Sequence, residues 1–176
     1  DMKAELDAAA TQGTKDPFGF GFRWGQWDTA THGAGMAVEA SEYDQLAGTS
    51  AYAADGRRWL ANILGANAWG SSFIVGDGLV FPDCLQHQVA NIRGSLNGSP
   101  PVLRGALVEG PNSYSAHGRL PGMRTCPADG VDRFARFDGH GAVFVDNVQS
   151  YDTVEPAIDL TAASPLAFAR EAAGLL

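Results

Sequence analysis

A mainly α domain, in which helical hairpins carry a long ordered loop region, is predicted by three features of the sequence. Apolar residues recur at helical spacing between Asp28 and Gly48 and again between Thr49 and Gly65. The two runs meet at a short polar turn, the pattern of an antiparallel helix pair. From Ala66 to Tyr151 the chain then becomes rich in Pro, Gly, Asn and Asp and loses sustained periodicity. So long an irregular stretch inside a compact domain is usually functional, and loops on a rigid frame commonly bear the chemistry.

The elements follow in order. Met2 to Ala10 reads as a polar helix, closed by a turn from Gly13 to Asp16. Pro17 to Trp27 crowds three Phe and two Trp among glycines, a composition that is not helical and whose rings either line a groove or plug a core. Asp28 or Thr29 caps the next helix, with Met36, Ala40, Tyr43 and Ala47 on one face and Gly48 as its stop. Thr49 or Ser50 caps another, whose apolar side is Tyr52, Trp59, Leu60, Ile63 and Leu64 and which ends at Gly65. Trp59 is expected in the core. Short apolar runs at Ser72–Val75 and Ala142–Val145 are strand-like. Ala162 to Leu175 closes the chain as a helix, with Pro165 in its first turn. Neither an internal repeat nor a linker divides residues 1–176, which are expected to form part of one domain.

Charge and composition exclude several functions. The 176 residues carry 12 Lys and Arg against 20 Asp and Glu, a net charge of −8 that repels polyanions, so no nucleic-acid partner is expected. No apolar run approaches the roughly 20 residues needed to cross a bilayer, so no membrane partner is expected either. Cys84 and Cys126 permit one disulfide at most and cannot make a zinc site alone; Cys84 and His87 have ligand-like spacing but no second pair. The Asp129-Gly130-Val131-Asp132 turn lacks the alternating oxygen ligands of a calcium loop. Ser113 and Ser115 near His117 lack the strand-turn-helix elbow of a serine nucleophile. Neither metal nor cofactor is therefore expected. The chain begins at Asp1 inside a helix and without an initiator Met, which suggests a piece of something longer, and its first residues carry no signal peptide.

Glu155 is the candidate acid. It sits at a loop-to-helix junction among Tyr151, Asp152, Val154, Pro156, Ala157 and Ile158, a mixed apolar setting of the kind that raises a carboxyl pKa toward neutrality and could let it donate a proton. A glutamate favoured by the dipole at a helix start is the ordinary alternative.

Several segments, in order, resemble the C-terminal part of family 9 glycoside hydrolases, cellulases built as a barrel of six helical hairpins. Trp24-Gly25-Gln26-Trp27 is similar to the family's Trp-Gly-Ser-Asn stretch, and Ile63 to Gly78 to its helix end and glycine-bounded loop. Gly105-Ala106-Leu107-Val108-Glu109-Gly110-Pro111-Asn112 is similar to its Gly-Pro-Asn loop. Asp146, Tyr151 and Thr153 to Leu160 resemble its Asp…Asp-Tyr-x-x-Asn-Glu-Val-Ala-Ile-Asp segment, with Val154 where Asn is usual.

The resemblance implies the C-terminal portion of an (α/α)6 barrel with long ordered loops. It implies that Glu155 is the general acid of an inverting hydrolase of β-1,4-glucan, its partner carboxylate standing roughly 6.5–9.5 Å away to activate water. It also implies sugar contacts from His87, with Asn91 and Arg93 as weaker candidates, from Tyr151, and from Trp24, Trp27 and Trp69 as stacking rings. The family's His-His-Arg segment is reduced here to Pro82–Gln88 with one His, and its Asp-Ala-Gly-Asp base motif is absent from the sequence. The implied partners are a polysaccharide and the missing N-terminal part of the same domain, without which this chain would be inactive and marginally folded. Secretion is implied as well. A carbohydrate-binding or helical scaffold fragment without hydrolytic activity is the alternative.

Overall fold

The computed structural model describes residues 1–91, 103–115 and 121–176. Its helices are α1 (Met2–Gly13), α2 (Thr29–Ala47), α3 (Ala53–Ile63), α4 (Gln88–Asn91), α5 (Tyr151–Val154) and α6 (Ile158–Ala172), with a 3-10 turn at Ala135–Phe137.

Helix α2 is the centre, packed against α1, α3 and α6. It can serve three neighbours because the face it buries is made of small residues, Ala30, Gly33, Ala34, Ala37, Ala40 and Ser41. A Cβ at Gly33 would lie 2.6 Å from the Ile63 side chain, so α3 can approach only because glycine stands there. Polar pins fix α6 on the other side. Thr31 Oγ1 donates to the Leu160 carbonyl at 3.0 Å and Arg170 Nε to Ser41 Oγ at 2.6 Å.

The helix pair and its Gly48 stop, at φ +63, agree with the sequence reading. The buried face of α2 does not. Of Met36, Ala40, Tyr43 and Ala47, only Ala40 is fully buried, and Ala47 is exposed. Packing here is limited by how closely backbones can approach, so the small residues turn inward and the larger ones ride the rim.

Other boundaries moved for local reasons. Helix α3 starts at Ala53, because the Asp44 carboxylate accepts the Tyr52 N–H at 2.9 Å and holds the chain open before it. Helix α1 runs three residues beyond Ala10. Helix α6 starts at Ile158, four residues before Ala162, which places Pro165 inside the helix rather than in its first turn. Proline removes the N–H that the Thr161 carbonyl would have accepted, and Ser164 Oγ supplies the substitute at 2.8 Å.

The two strand-like runs form isolated bridges, Ile74 with Leu107, Val143 with Asn112 and Ala142 with Gly139. They nevertheless carry the core under the loops, where Phe73, Phe144, Leu107, Val108 and Val154 are fully buried. A second cluster joins Leu6, Phe20, Tyr52 and the fully buried Trp59 between α1, α2 and α3.

Cys84 and Cys126 form a disulfide across 42 residues of chain. Beside it, the Asp146 carboxylate accepts the Asp83 and Cys84 N–H groups at 3.0 and 2.8 Å, so the loop leading to His87 is tied twice. Closing so long a loop removes much of the freedom of the unfolded chain. The Cys84→Ser/Cys126→Ser double variant is expected to lose about 2–4 kcal/mol in urea unfolding. An unfolding midpoint equal to that of the unreduced parent would show that the crosslink closes a loop already ordered without it.

Candidate active site

Local sequence dictates how Glu155 is presented. Pro156 bars the preceding residue from helical geometry, so α5 ends at Val154 and Glu155 is extended at φ −76, ψ 121. The short stub from Glu155 to Ala157 then pairs antiparallel with the Gly-Pro-Asn loop. Val108 bridges Pro156, the Glu109 N–H donates to the Glu155 carbonyl at 3.2 Å, and the Gly110 N–H to Thr153 O at 3.2 Å. Behind it Asp152, Thr153 and Val154 are wholly buried, and Thr153 Oγ1 donates to the Val145 carbonyl at 2.7 Å. Glu155 itself is exposed, carried on a backbone fixed by these bonds.

Partial burial raises the Glu155 pKa above its ordinary value; the negative charge of Asp159 adds to this and His87 opposes it. His87 is half-buried, and its Nδ1 accepts the Val89 N–H at 3.2 Å at the start of α4. With Pro156, Ala157, Ile158 and Thr161 it lines a cavity of about 350 Å³ next to the acid.

Tyr151 stacks on Trp27, ring centres 6.2 Å apart and planes 21° from parallel, and Tyr114 meets Trp27 edge-on. Trp27 is 43% exposed and offers a ring to solvent. It precedes Asp28, whose N–H donates to Glu109 Oε2 at 3.0 Å. Trp27, Asp28, Glu109, Tyr151 and Glu155 therefore form one connected patch.

Other expected contacts are placed differently. Trp24 stacks on Phe20 at 4.1 Å, abuts Trp69 and Phe73, and donates its indole N–H to Asp16 at 2.8 Å. Trp69 is 4% exposed, enclosed by Trp24, Phe73 and Phe144, with its N–H on Asp138 at 2.8 Å. Trp69 has become core because the Gly-rich loops fold over it; Trp24 is half-buried, packed against that core and lining a cavity with Arg23, Gln26 and His140. Asn91 is buried, its amide donating to Leu85 O at 2.5 Å and its oxygen accepting from Arg124, so its polar atoms are engaged within the protein. Arg93 lies outside the described residues.

Glu109 escaped the sequence reading. It is 9% exposed, and its backbone carbonyl accepts the Ala30 N–H at 3.0 Å. Burial pushes its carboxyl up to about 8; contact with the Asp28 side chain and the charges of Asp28 and Glu155 act in the same direction, against the Asp28 amide. The one available signal was that the other four glutamates besides Glu155 all sit in helical contexts.

This shift has a sign in stability. The folded chain keeps a proton that the unfolded chain releases above its ordinary glutamate value of 4.5, so stability declines as pH rises from there to about 8. Gln cannot titrate, yet can still accept from Asp28. Glu109→Gln is therefore expected to gain about 1–2 kcal/mol over the parent at pH 8, after allowance for solvent screening, and nothing at pH 4. Urea melts at the two pH values check this, and an equal effect at both would refute it.

Among the described residues no group of three or more His, Cys, Asp or Glu could hold a metal ion, and no helix is long and apolar enough to cross a membrane.

The fold has solved relatives. A Bacteroides ovatus family 9 glycoside hydrolase superimposes with a TM-score of 0.73 at 22% identity, over 99% of this chain and 28% of that one. The family 9 endoglucanase J30 gives 0.71 at 24%, over 96% and 29%. AaCel9A in complex with cellobiose-like isofagomine gives 0.65 at 22%, over 97% and 30%. The chain thus spans less than a third of the length of each, and shares the architecture of a portion of their (α/α)6 barrels. No curated protein matches it. Residues 2–168 match the profile of Glycosyl hydrolase family 9, and that match, running through the hairpin, the Gly-Pro-Asn loop and the stub that bears Glu155, means that the chain belongs to this family.

Proposed function

We propose that this chain is the acid-bearing part of an inverting glycoside hydrolase that cleaves β-1,4-glucosidic bonds in cellulose or a related β-glucan, with Glu155 as the general acid. The observation that carries the reading is the presentation of Glu155: a carboxyl of raised pKa, exposed to solvent, on a stub immobilised by Pro156 and the bridge to Val108. Two solved relatives support the substrate class, one bound to cellobiose-like isofagomine and the other, Cel9M, to cellobiose.

In this mechanism Glu155 gives its proton to the glycosidic oxygen as the bond to the anomeric carbon breaks. A water attacks from the opposite face and loses its proton to a carboxylate base, so the configuration inverts. Trp27 and Tyr151 offer apolar ring surface to the CH groups of a pyranose, and His87 a polar contact beside the acid. The base comes from the N-terminal part of the domain, which also covers apolar side chains such as Ile158, 92% exposed here, and Leu46. The disulfide fits an oxidising compartment, and hence a secreted protein.

The test combines this chain with an upstream segment carrying an Asp-Ala-Gly-Asp motif and measures reducing ends released from carboxymethyl cellulose. Activity that vanishes in Glu155→Gln, with an inverted anomer in the first product, supports the reading. Glucan binding with no hydrolysis under any combination would replace it by a carbohydrate-binding fragment.

A further inference from the structure

A cavity of about 360 Å³ gathers Lys15, Arg23 and His140 on one wall, together with Gln26 and the half-buried Trp24 ring. A chain of contacts joins it to the acid. A Cβ at Gly25 would lie 2.3 Å from the Gly141 oxygen and 3.5 Å from Ser113 Cα, so the loops touch there. Ser113 leads to Tyr114, whose ring meets Trp27 edge-on, and Trp27 stacks on Tyr151 in the patch that holds Glu155.

The charge of this wall is the reverse of the chain's. Against a net charge of −8, it brings two cations together, and among the described residues neither Lys15 nor Arg23 has a carboxylate within ion-pair distance. Asp16 shares the wall but is already engaged. Its Oδ1 accepts the Phe18 and Phe20 N–H groups at 2.8 and 3.1 Å, and its Oδ2 the Trp24 indole N–H at 2.8 Å. His140 stands opposite at the tip of a two-residue hairpin, closed by Gly139 and Ala142 backbone bonds at 3.0 Å. Its φ of +51 belongs to a turn position that Asn, Asp or Gly occupies more readily, so the fold accepts strain to hold an imidazole there.

We propose that this cavity is a subsite for a uronic acid unit of the glucan, with Arg23 and Lys15 taking its carboxylate and His140 and Gln26 its hydroxyls. The inference rests on the substrate class proposed above and narrows it to β-glucans that carry acidic sugars. A planar guanidinium offers paired donors that match the two oxygens of a carboxylate, and a second cation beside it completes the charge balance. A neutral sugar would leave both cations uncompensated. The Trp24 ring supplies the apolar surface that a free small anion does not need and a sugar does. The volume admits a small-molecule unit.

The experiment titrates the 176-residue chain calorimetrically with cellotetraose and with the same tetramer oxidised at its primary hydroxyls to the uronic acid. The oxidised tetramer is expected to bind about five- to tenfold more tightly at low salt, two solvent-exposed charge pairs being worth a few-fold each, and about 0.5 M salt should erase the difference. The Lys15→Gln/Arg23→Gln variant alters two exposed side chains, so folding is retained. It should bind the acidic tetramer no better than the neutral one and leave the neutral affinity unchanged. Equal affinities in the parent, no binding of either tetramer, or a preference that survives in the variant overturns the subsite. Inorganic phosphate held as tightly as the acidic tetramer, and lost in the same variant, would make this a site for small anions and overturn the sugar assignment. The hydrolysis test is separate: Glu155 can prove essential on neutral cellulose without any preference for acidic units, and the preference can exist in a chain that hydrolyses nothing.

Discussion

Glu155→Gln is expected to lower turnover on cellulose-type substrates by about 100- to 10,000-fold, the range that a positioned proton donor contributes. The amide matches the carboxyl in shape and can still accept hydrogen bonds, but it has no acid proton to give. A sugar hydroxyl leaving without that proton departs as an alkoxide, so the lost interaction belongs to the transition state, and kcat should fall with little change in KM. Folding should be unaffected, because the side chain is exposed and its backbone contacts with Glu109 are independent of the carboxyl. An aryl glycoside with an acidic phenol as leaving group separates a proton donor from a residue that only shapes the site. Such a phenol departs without assistance, so the variant should recover most of its activity on it. Equal losses on both substrates would show that residue 155 positions substrate and donates nothing.

What could be read from the sequence divides along physical lines. Local signals were legible: Gly48 in the left-handed region stops α2 as expected, and the hairpin of α2 and α3 follows from periodicity and a polar turn. Which face of α2 is buried was not, since Ala, Gly and Ser give almost no amphipathic signal, and the inward face is chosen by three neighbouring helices. The same holds at the site. Glu155 could be named because its flanking residues are visible in one dimension, and Pro156 beside it fixes its backbone. Glu109, forty-six residues earlier, meets it through a two-residue bridge with no periodic pattern to announce it. The tryptophans were ambiguous for a related reason. A ring between glycines can face either way, and burial depends on where distant Phe73 and Phe144 come to lie.

Trp69→Ala separates those two roles most sharply and is expected to cost about 3–5 kcal/mol, a large share of the stability of a single domain. The indole fills the space between Trp24, Phe73 and Phe144, and no collapse of these rigid rings can fill the void without leaving their rotamers. The polar contribution is smaller. Asp138 Oδ1 accepts both the Trp69 indole N–H and the Phe144 N–H, and it keeps the second when the first is lost. Trp69→Phe, which removes only that bond and part of the ring, should therefore cost about 1–2 kcal/mol. Urea unfolding of the two variants ranks the contributions, and a Trp69→Ala midpoint indistinguishable from the parent's would return the ring to the surface. The consequence extends to the acid, because Phe144 precedes Val145, whose carbonyl anchors Thr153, two residues before Glu155. A cavity at Trp69 should loosen that support, so Trp69→Ala is expected to lose activity without any change in glucan affinity, the opposite of what loss of a stacking platform would produce.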